Sequence, residues 1–275
     1  MTLLCRVMEV SRSGFYHILK SANNPKFDGD PELAADAKAV FKSSGKTYGS
    51  RRMSRALRAL GYPVGRHQAR TLMQQLGLRV LPTKRFKVTT DSKHNHPVAP
   101  NVLGREFDVE APDRVWAGDI TYLWTQQGWL YLAVMIDLYS RKVVGWSIKQ
   151  RMTTDLVLDA LTMAVWRRRP KPGLIHHTDR GSQYASDLYQ AKLEKHDMVC
   201  SMSRRGDCWD NAVVERFFRS LKTERTNHRL YRTREEARQD VIDYIEMFYN
   251  SRRLHSYLGY LSPNEFEASE IRIAA

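Results

Sequence analysis

Three acidic residues in the second half of the chain stand in surroundings that suit chemistry on phosphates. Asp119 interrupts the strand-like run WAGDITYLW, Asp179 directly follows the apolar run GLIHH, and Glu215 lies in the helical pattern DNAVVERFFRSLK. A carboxylate in a strand that should be buried needs a partner or a metal ion. Mg²⁺ and Mn²⁺ prefer such oxygen ligands. Two ions about 3.5–4 Å apart would activate the attacking oxygen and stabilise the leaving oxygen of a phosphoryl displacement.

The segment around Glu215 has the periodicity of an amphipathic helix that Asp210 or Asn211 would cap. Its apolar arc consists of Val213, Val214, Phe217, Phe218 and Leu221, and its polar stripe consists of Glu215, Arg219 and Lys222. Taken alone, Glu215 and Arg219 would be an ordinary surface ion pair one helical turn apart. Together with the two aspartates, the stripe predicts that Arg219 and Lys222 hold DNA next to the acids.

The elements that must position these acids read as an α/β domain. Strand-like runs at 114–124, 128–140 and 141–150 have short connections and predict an antiparallel meander. A helix, a short strand, a second helix, a second short strand and two helices from about Asp210 and Thr233 follow. This order predicts a mixed sheet flanked by helices. Asp179 should lie at the carboxyl end of a strand, where α/β sheets place their sites.

The first part of the chain has a different composition. The net charge is +14, and thirteen lysines and arginines lie between Ala37 and Thr90 without any Asp or Glu. Within this stretch, SRRMSRALRALG places Met53, Leu57 and Leu60 at helical spacing after Ser50, and RHQARTLMQQLGL forms a second apolar face. Two short helices joined by a Gly/Pro turn predict a helix-turn-helix whose arginines contact DNA phosphates. The predicted contacts are Arg51, Arg52, Arg55, Arg66 and Arg70.

These patterns divide the chain into five predicted parts. They are an N-terminal helical segment at 1–30, a basic helix-turn-helix domain at 31–82, a polar linker at 83–112, a catalytic core at 113–228 and a C-terminal helix with a basic tail at 229–275. Arg252, Arg253 and His255 in the tail are further candidate phosphate contacts.

Composition argues against several other classes of protein. No run of 18 apolar residues exists that would span a membrane, and the N-terminus has no pattern of a secretory signal. Three cysteines without a C-x-x-C pair favour neither a disulfide framework nor a zinc ribbon. We therefore expect a cytoplasmic protein without a membrane partner.

Other polar residues compete for a place in the site. Asp137 ends a strand before Leu-Tyr-Ser-Arg, which favours an Asx-type turn. Asp207 and Asp210 lie in the RRGDCWDN loop and are assigned a capping or loop role. His176 and His177 are neighbours in a strand and must point to opposite faces, so they would not easily bind one ion.

Three more residues are secondary candidates. Ser182 and Gln183 either position DNA or cap the following helix. Trp209 would stack on a base or, in the simpler interpretation, be a buried aromatic residue.

The acidic segments also resemble a known family. WAGDITYL, HTDRGSQY and DNAVVERFFRSLK, with 35 residues between the second and third acids and Lys222 seven positions after Glu215, resemble the DDE motif of retroviral-integrase-like transposases. SRSGFYH, YGSRRMSRALRALGY and NSRRLHSYLGYLSPNEFE resemble the downstream-frame product of bacterial insertion sequences whose gene is split into two overlapping frames. The resemblance covers nearly the whole chain.

The resemblance implies a ribonuclease-H-like fold in which Asp119, Asp179 and Glu215 bind Mg²⁺ or Mn²⁺, with two ions per site. Lys222 would contact DNA near the cleaved end. Hydrolysis at an element end would release a 3′-OH, which would then attack target DNA by transesterification. The implied partners are double-stranded DNA of the element ends and target, at least one further copy of the chain, and an upstream-frame protein joined by frameshifting. The implied location is the bacterial cytoplasm, in association with the nucleoid.

Two alternatives to a transposase remain open. A nuclease of the same fold, such as a ribonuclease H or a junction resolvase, would cut without joining and has no obvious need for the basic helix-turn-helix. A DNA-binding regulator would use the acids only as structural residues. The presence of all three acids together with Lys222 favours the transposase.

Overall fold

The computed structural model describes residues 11, 13–16, 30–81, 97–204 and 208–274. The chain divides into two compact units, Met1–Leu81 and Pro82–Ala275. Most of the predicted N-terminal segment and residues 83–96 of the predicted linker lie outside the described residues, as does Asp207. Residues 13–16 form a helical turn.

Between residues 30 and 81 the first unit contains three helices, α1 (Pro31–Ser43), α2 (Ser50–Ala59) and α3 (Arg66–Gln75). The helix-turn-helix predicted from the sequence corresponds to α2 and α3, and α1 completes its core. Asp30 caps α1 by accepting a hydrogen bond from the Glu32 amide at 2.9 Å. One apolar cluster in this unit consists of the buried side chains Ala37, Phe41, Met53, Leu57, Val64, Ala69, Leu72 and Met73.

The ends of α2 differ from the sequence prediction. Gly49 is the N-cap, so Ser50 is the first helical residue rather than the cap. Leu60 is the C-cap, and its side chain is 55% exposed instead of buried with Met53 and Leu57. The helical period stops at Ala59, so Leu60 does not continue the apolar face. Ser54 holds the turn between the helices by donating its hydroxyl to the Val64 carbonyl at 2.7 Å.

The second unit is built on a five-stranded mixed sheet. Its strands are β1 (Val115–Thr125), β2 (Gly128–Asp137), β3 (Val143–Lys149), β4 (Ile175–Thr178) and β5 (Val199–Met202). The order across the sheet is β3-β2-β1-β4-β5. The first three strands form the predicted antiparallel meander, and β4 pairs parallel with both β1 and β5. The mixed sheet expected from the sequence is confirmed.

Helices flank this sheet. They are α4 (Thr154–Arg168), α5 (Asp187–Glu194), α6 (Ala212–Glu224), α7 (Arg234–Asp243) and α8 (Pro263–Ala274), and α7 continues as a π-helical segment at Tyr244–Tyr249. One apolar cluster joins Trp116 and Met135 of the sheet to α4 and α5. Phe217 of α6 packs edge-on against Tyr249 of the π-helical segment at 4.7 Å between ring centroids. No helix in the described ranges is long and apolar enough to cross a membrane.

Candidate active site

Asp119 occupies the middle of β1, where it lies opposite Val134 of β2. The strand forms because aromatic and β-branched residues dominate this run and pack well on a pleated surface. The Asp119 side chain is half-buried, and its Oδ1 accepts a hydrogen bond from the Ile120 amide at 2.7 Å. A central strand therefore fixes this carboxylate at the edge of the hydrophobic core.

Asp179 directly follows β4, as the sequence predicted. Because β4 pairs with β1 in parallel, the end of β4 lies beside the part of β1 that carries Asp119. The Asp179 Oδ1 accepts a hydrogen bond from the Gly181 amide at 2.9 Å. A Cβ at position 181 would lie 3.0 Å from that same oxygen, so the glycine leaves room for the carboxylate in this turn.

Glu215 lies in the first turn of α6 and its side chain is exposed. The predicted apolar arc is buried at Val214, Phe217, Phe218 and Leu221, while Val213 is only half-buried. Asn211 occupies the N-cap position, but its side chain makes no capping hydrogen bond. Instead its amide donates to the Gly118 carbonyl at 3.1 Å, which ties the start of α6 to β1 next to Asp119.

Asp210 forms a buried anchor just before α6. Its Oδ1 accepts hydrogen bonds from Arg105 at 2.7 Å and Arg204 at 2.9 Å, and its Oδ2 accepts from Asn101 at 2.9 Å. The hydrogen bonds from Arg204 hold the pKa of this carboxyl well below its usual range. The residue therefore neither caps α6 nor faces the other acids; it fixes the chain that leads into Glu215.

The electrostatics of Asp119 connect the three acids. Burial raises the pKa of Asp119 well above its ordinary value, and the negative charges of Asp179 and then Glu215 raise it further. The positive charge of Lys222 opposes this shift. Partial desolvation also raises the pKa of Glu215. Residues that are up to 96 positions apart in the chain thus influence one another's ionisation, so the fold brings the three acids into one region.

Lys222 lies on the same stripe of α6 as Glu215 and is half-buried. Its Nζ lies 5.0 Å from the centroid of the Tyr122 ring on β1, which is within the range of a cation–π contact. Arg219 lies on the exposed side of α6. The predicted stripe of one acid and two bases is therefore present, and the contact with Tyr122 is a feature that the helical periodicity alone did not indicate.

The donor set of the region suits a hard divalent cation, because carboxylate oxygens are the ligands that Mg²⁺ and Mn²⁺ prefer. The mutual charge repulsion at Asp119 is the kind of cost that a bound cation relieves. Among the residues that the structure describes, however, no group of three or more His, Cys, Asp or Glu side chains is arranged to hold a metal ion. The carboxylates are suitable ligands for the cation, but the described side chains do not converge on one position where it would bind.

The rival residues of this region have structural roles. Asp137 Oδ2 accepts hydrogen bonds from the Ser140 amide at 2.9 Å and the Ser140 hydroxyl at 2.8 Å, so it caps the turn after β2, with its partner three residues on rather than the two of an Asx turn. His176 contacts the Tyr189 hydroxyl at 2.7 Å, and His177 contacts the hydroxyls of Ser201 and Ser203. The two histidines therefore point to different sides of β4, as predicted, and neither reaches the acids through these contacts.

Two expectations for other residues are wrong. Arg253 is 5% exposed, and its guanidinium binds Glu224 and Ser220, so it is held inside the protein and does not present a phosphate contact. Trp209 is 68% exposed, whereas the simpler interpretation made it a buried aromatic residue. Ser182 is half-buried, and Gln183 donates its amide to the Met152 carbonyl at 3.1 Å.

Most of the other predicted DNA contacts lie at the surface. Arg51, Arg55, Arg66, Arg70 and Arg252 are exposed. Arg52 is half-buried, with its guanidinium 5.6 Å from the centroid of the Tyr48 ring.

Tyr184 is a neighbour of the Asp179 turn that sequence analysis did not single out, and its amide donates to the Gly181 carbonyl at 3.0 Å. It is fully buried, and the charges of Asp119 and Asp179 contribute, after burial, to raising its pKa well above the ordinary value. Its position five residues after Asp179 in HTDRGSQY was a signal, but a tyrosine there equally suits an apolar core.

Comparison with protein families matches both units of the chain. The family model of the integrase core domain matches residues 109–208, and a second integrase core model matches residues 196–263. An HTH-like domain matches residues 29–86. An integrase core with the acids described above, preceded by an HTH-like domain, defines a DDE-type polynucleotidyl transferase.

Curated relatives cover nearly the whole chain. An uncharacterized 31 kDa protein of insertion element IS600 from Shigella sonnei is 42% identical over 99% of this chain and 100% of its own length. Transposase InsF of insertion sequence IS3A from Escherichia coli K12 is 44% identical over 96% of this chain and 92% of its own length. The chain belongs to this family of insertion-sequence transposases and is a DNA transposase.

Among solved structures, the catalytic core domain of BIV integrase is similar with a TM-score of 0.43 and 18% identity, over 59% of this chain and 99% of that domain.

Proposed function

We propose that this transposase cleaves DNA at the ends of its element to release a 3′-OH and then joins that end to target DNA. Asp119, Asp179 and Glu215 would hold Mg²⁺ or Mn²⁺, with two ions per site. The observation that carries the proposal is the arrangement of the acids: Asp179 follows β4 beside the part of β1 that carries Asp119, and the hydrogen bond from Asn211 to the Gly118 carbonyl ties the helix of Glu215 to the same place. Carboxylates held in such proximity against their repulsion are typical of functional sites.

The bound ions would supply Lewis-acid activation of the attacking and leaving oxygens. The side chains of the protein would position the substrate: Lys222 and Arg219 would hold the phosphate backbone beside the acids. In the first step water breaks the P–O3′ bond and leaves a 3′-OH and a 5′-phosphate. In the second step the 3′-OH forms a bond to a target phosphorus and displaces the target's own 3′ oxygen, so one phosphodiester replaces another.

The HTH-like unit would supply affinity for double-stranded DNA. Its exposed arginines Arg51, Arg55, Arg66 and Arg70, together with Arg52, would neutralise phosphates and release counterions. Arg252 would add a contact from the second unit. Because one chain carries one set of three acids, processing two element ends requires at least a dimer on the DNA. We further propose that an upstream-frame protein, joined by frameshifting, completes the recognition of the ends.

The test compares the wild-type protein with Glu215→Gln on supercoiled plasmid and a labelled oligonucleotide with a free 3′-OH, in Mg²⁺ and in Mn²⁺. We expect metal-dependent nicking and joining, and a loss of both by about 100-fold or more in the variant, because a group that stabilises transition-state charge is removed. Glu235→Gln is the matched control, since Glu235 is an exposed glutamate in the first turn of another helix, α7.

Each outcome of this experiment decides a different point. Joining that is lost only in Glu215→Gln supports the transposase chemistry and the third ligand together. Nicking without joining contradicts the strand-transfer step and favours a nuclease. Equal losses in Glu215→Gln and Glu235→Gln contradict the special role of Glu215, and the absence of both activities in the wild type contradicts the proposal for this chain by itself.

A further inference from the structure

An exposed row of aromatic side chains runs from the candidate active site to the end of the β1–β2 hairpin. We name Tyr122, Trp124 and Trp129 the aromatic strip. The ring of Trp129 packs edge-on against Tyr122 at 5.0 Å and against Trp124 at 4.8 Å between centroids. Trp124 is 54% exposed and Trp129 is 44% exposed. Single exposed aromatic side chains are common, whereas a contiguous group of them marks an interaction surface, so this cluster needs an explanation.

The aromatic strip is continuous with the candidate active site. Tyr122 is three residues after Asp119 in β1, so the two side chains point to opposite faces of the strand. Lys222 links them, because its Nζ contacts the Tyr122 ring and its charge influences Asp119. At about 3.3 Å per residue, the five residues from Asp119 to Trp124 span roughly 17 Å. With one nucleotide per about 3.4 Å of stacked strand, this span corresponds to roughly five nucleotides.

The charges around the aromatic strip favour a polyanion. Residues 120–136, which include the whole strip, contain no Asp or Glu. Arg234 lies along the hairpin, where its Nε donates to the Trp129 carbonyl at 3.2 Å and its backbone amide donates to Gln127 at 2.9 Å. Lys222 lies at one end of the strip and Arg234 at the other, so a strand that follows the rings passes a cation at each end.

The charges also argue against dimerisation through the same surface. A two-fold dimer would place the strip of one copy on the strip of another, since such interfaces are self-complementary. Residues 120–136 of the facing copy would then offer Lys222 and Arg234 no carboxylate as a partner. Unpaired nucleobases carry a π-face for the rings and a phosphate for each cation, and they match both features of the surface.

We propose that the aromatic strip binds unpaired nucleotides of the DNA strand held at the acidic site, with bases stacked on Trp124 and Trp129. This inference depends on the proposed function in one respect: it takes from it that DNA is bound at the three acids. The β1–β2 hairpin would hold a locally unpaired strand about five nucleotides from the reacting phosphate. Neither the HTH-like unit nor Lys222 provides this contact. Stacking on exposed rings is tolerant of base identity, so the site should show little sequence preference.

The experiment measures binding without catalysis, so its failure is distinct from a failure of the cleavage proposal. Fluorescence anisotropy with Ca²⁺ in place of Mg²⁺ compares a blunt duplex with duplexes that carry a single-stranded extension of about six nucleotides, on the 5′ or the 3′ side. We expect the wild type to prefer one of the extended duplexes. Trp124→Ala should weaken that complex by about 5- to 150-fold, the range measured for loss of one stacked base, and leave the blunt duplex within about two-fold.

Controls separate stacking from folding. Trp124→Phe keeps a π-face and should retain most of the affinity, and Trp166→Ala removes a tryptophan that is 74% exposed on α4, outside the strip, and should change nothing. A 2-aminopurine in the extension reports stacking directly: its fluorescence should be quenched by the wild type and by Trp124→Phe but not by Trp124→Ala.

Several results would overturn the proposal. They are the absence of any preference for an extended duplex in the wild type, an equal loss of blunt and extended duplexes in Trp124→Ala, or unquenched 2-aminopurine in the wild-type complex. Sedimentation that shows a wild-type dimer converted to a monomer by Trp124→Ala would assign the strip to a protein interface instead.

Discussion

Arg253 donates two hydrogen bonds to Glu224, at 2.7 Å from Nε and 2.6 Å from Nη2, and joins the segment after the π-helical turn to the last turn of α6. Both side chains are nearly inaccessible, at 7% and 9% exposure. The same guanidinium also binds Ser220 at 3.0 Å. This buried pair holds the helix that carries Glu215 and Lys222, so a basic residue in the C-terminal segment serves the site through the fold.

The first prediction follows from this pair. Arg253→Ala leaves the Glu224 carboxylate buried without its partner, which should lower the free energy of unfolding by about 3–5 kcal/mol. Urea denaturation followed by circular dichroism measures the change. Arg252→Ala is the matched control, because its side chain is exposed and the effect should stay within about 0.5 kcal/mol. If both variants lowered the free energy of unfolding by similar amounts, the buried pair of Arg253 and Glu224 would not be the cause.

The burial of Arg253 also illustrates which features the sequence could not predict. An arginine in the basic stretch NSRRLHSY is expected at the surface, because charged residues are rarely buried unless paired. Its partner lies 29 residues earlier, and nothing in the local pattern identifies that contact. The same holds for Asp210, because its partner Arg105 lies 105 residues earlier in the chain. Pairing between distant charges is a property of the tertiary structure.

Local features were predictable because their signals lie within one element or one turn. The three-strand meander follows from apolar runs with short connections, and Asp179 follows from an apolar run that ends in turn residues. The helical periodicity of α6 predicted its buried face and the polar stripe of Glu215, Arg219 and Lys222. The insertion of β4 between β1 and β5 was not specified, because parallel pairing depends on contacts across about sixty residues of chain.

The second prediction concerns the close contact between β3 and α4. A Cβ at Gly145 would lie 2.7 Å from the Ala164 Cβ and 2.8 Å from the Ala164 amide nitrogen, and closer still to the Ala160 carbonyl oxygen. Two of these three atoms are backbone and cannot move aside. Gly145→Ala should therefore lower the free energy of unfolding by about 3 kcal/mol, at the upper end of the usual cost of overpacking. Thermal unfolding gives the value.

Gly118→Ala provides the matched control for Gly145. A Cβ at Gly118 would meet the Met135 sulfur at 3.0 Å and the His176 ring at 3.1 Å, and both are side-chain atoms. Methionine adapts easily, so the loss should be about 1 kcal/mol. If Gly118→Ala lowered the free energy of unfolding more than Gly145→Ala, the contact between β3 and α4 would not be the more rigid of the two.

The third prediction concerns the basic HTH-like unit. Arg70 is exposed on α3, and if it neutralises one phosphate, Arg70→Ala should weaken binding equally to all duplex sequences. The slope of log K against log salt should become shallower by about 0.9. Binding titrations of the full chain between low and moderate salt measure this slope. Gln74→Ala, four residues later on an exposed position, should leave it unchanged; an unchanged slope in Arg70→Ala would remove Arg70 from the interface.

The fourth prediction uses the buried histidines. Burial lowers the pKa of His176 to about 3 and that of His177 to about 4. An unfolded histidine has a pKa near 6.5, so below that pH the unfolded chain binds protons that the folded chain does not. Stability should consequently fall as the pH is lowered from about 6.5 towards 4, by up to about 1.4 kcal/mol per pH unit for each histidine. The loss should level off only near the folded pKa values.

The variant His176→Gln separates this effect from general acid denaturation. Glutamine can keep a hydrogen bond to the Tyr189 hydroxyl, which lies 2.7 Å from the His176 ring, but it binds no proton in this range. Urea titrations at pH 7, 6 and 5 should show that the variant loses less stability than the wild type, by about 0.7 kcal/mol between pH 7 and 6 and by about 1.2 kcal/mol between pH 6 and 5, because the unfolded histidine is only partly protonated near its pKa. The test is this difference in pH dependence, and a lower stability of the variant at pH 7 does not affect it. Identical slopes would mean that His176 is protonated in the folded protein or that its environment opens before the chain unfolds.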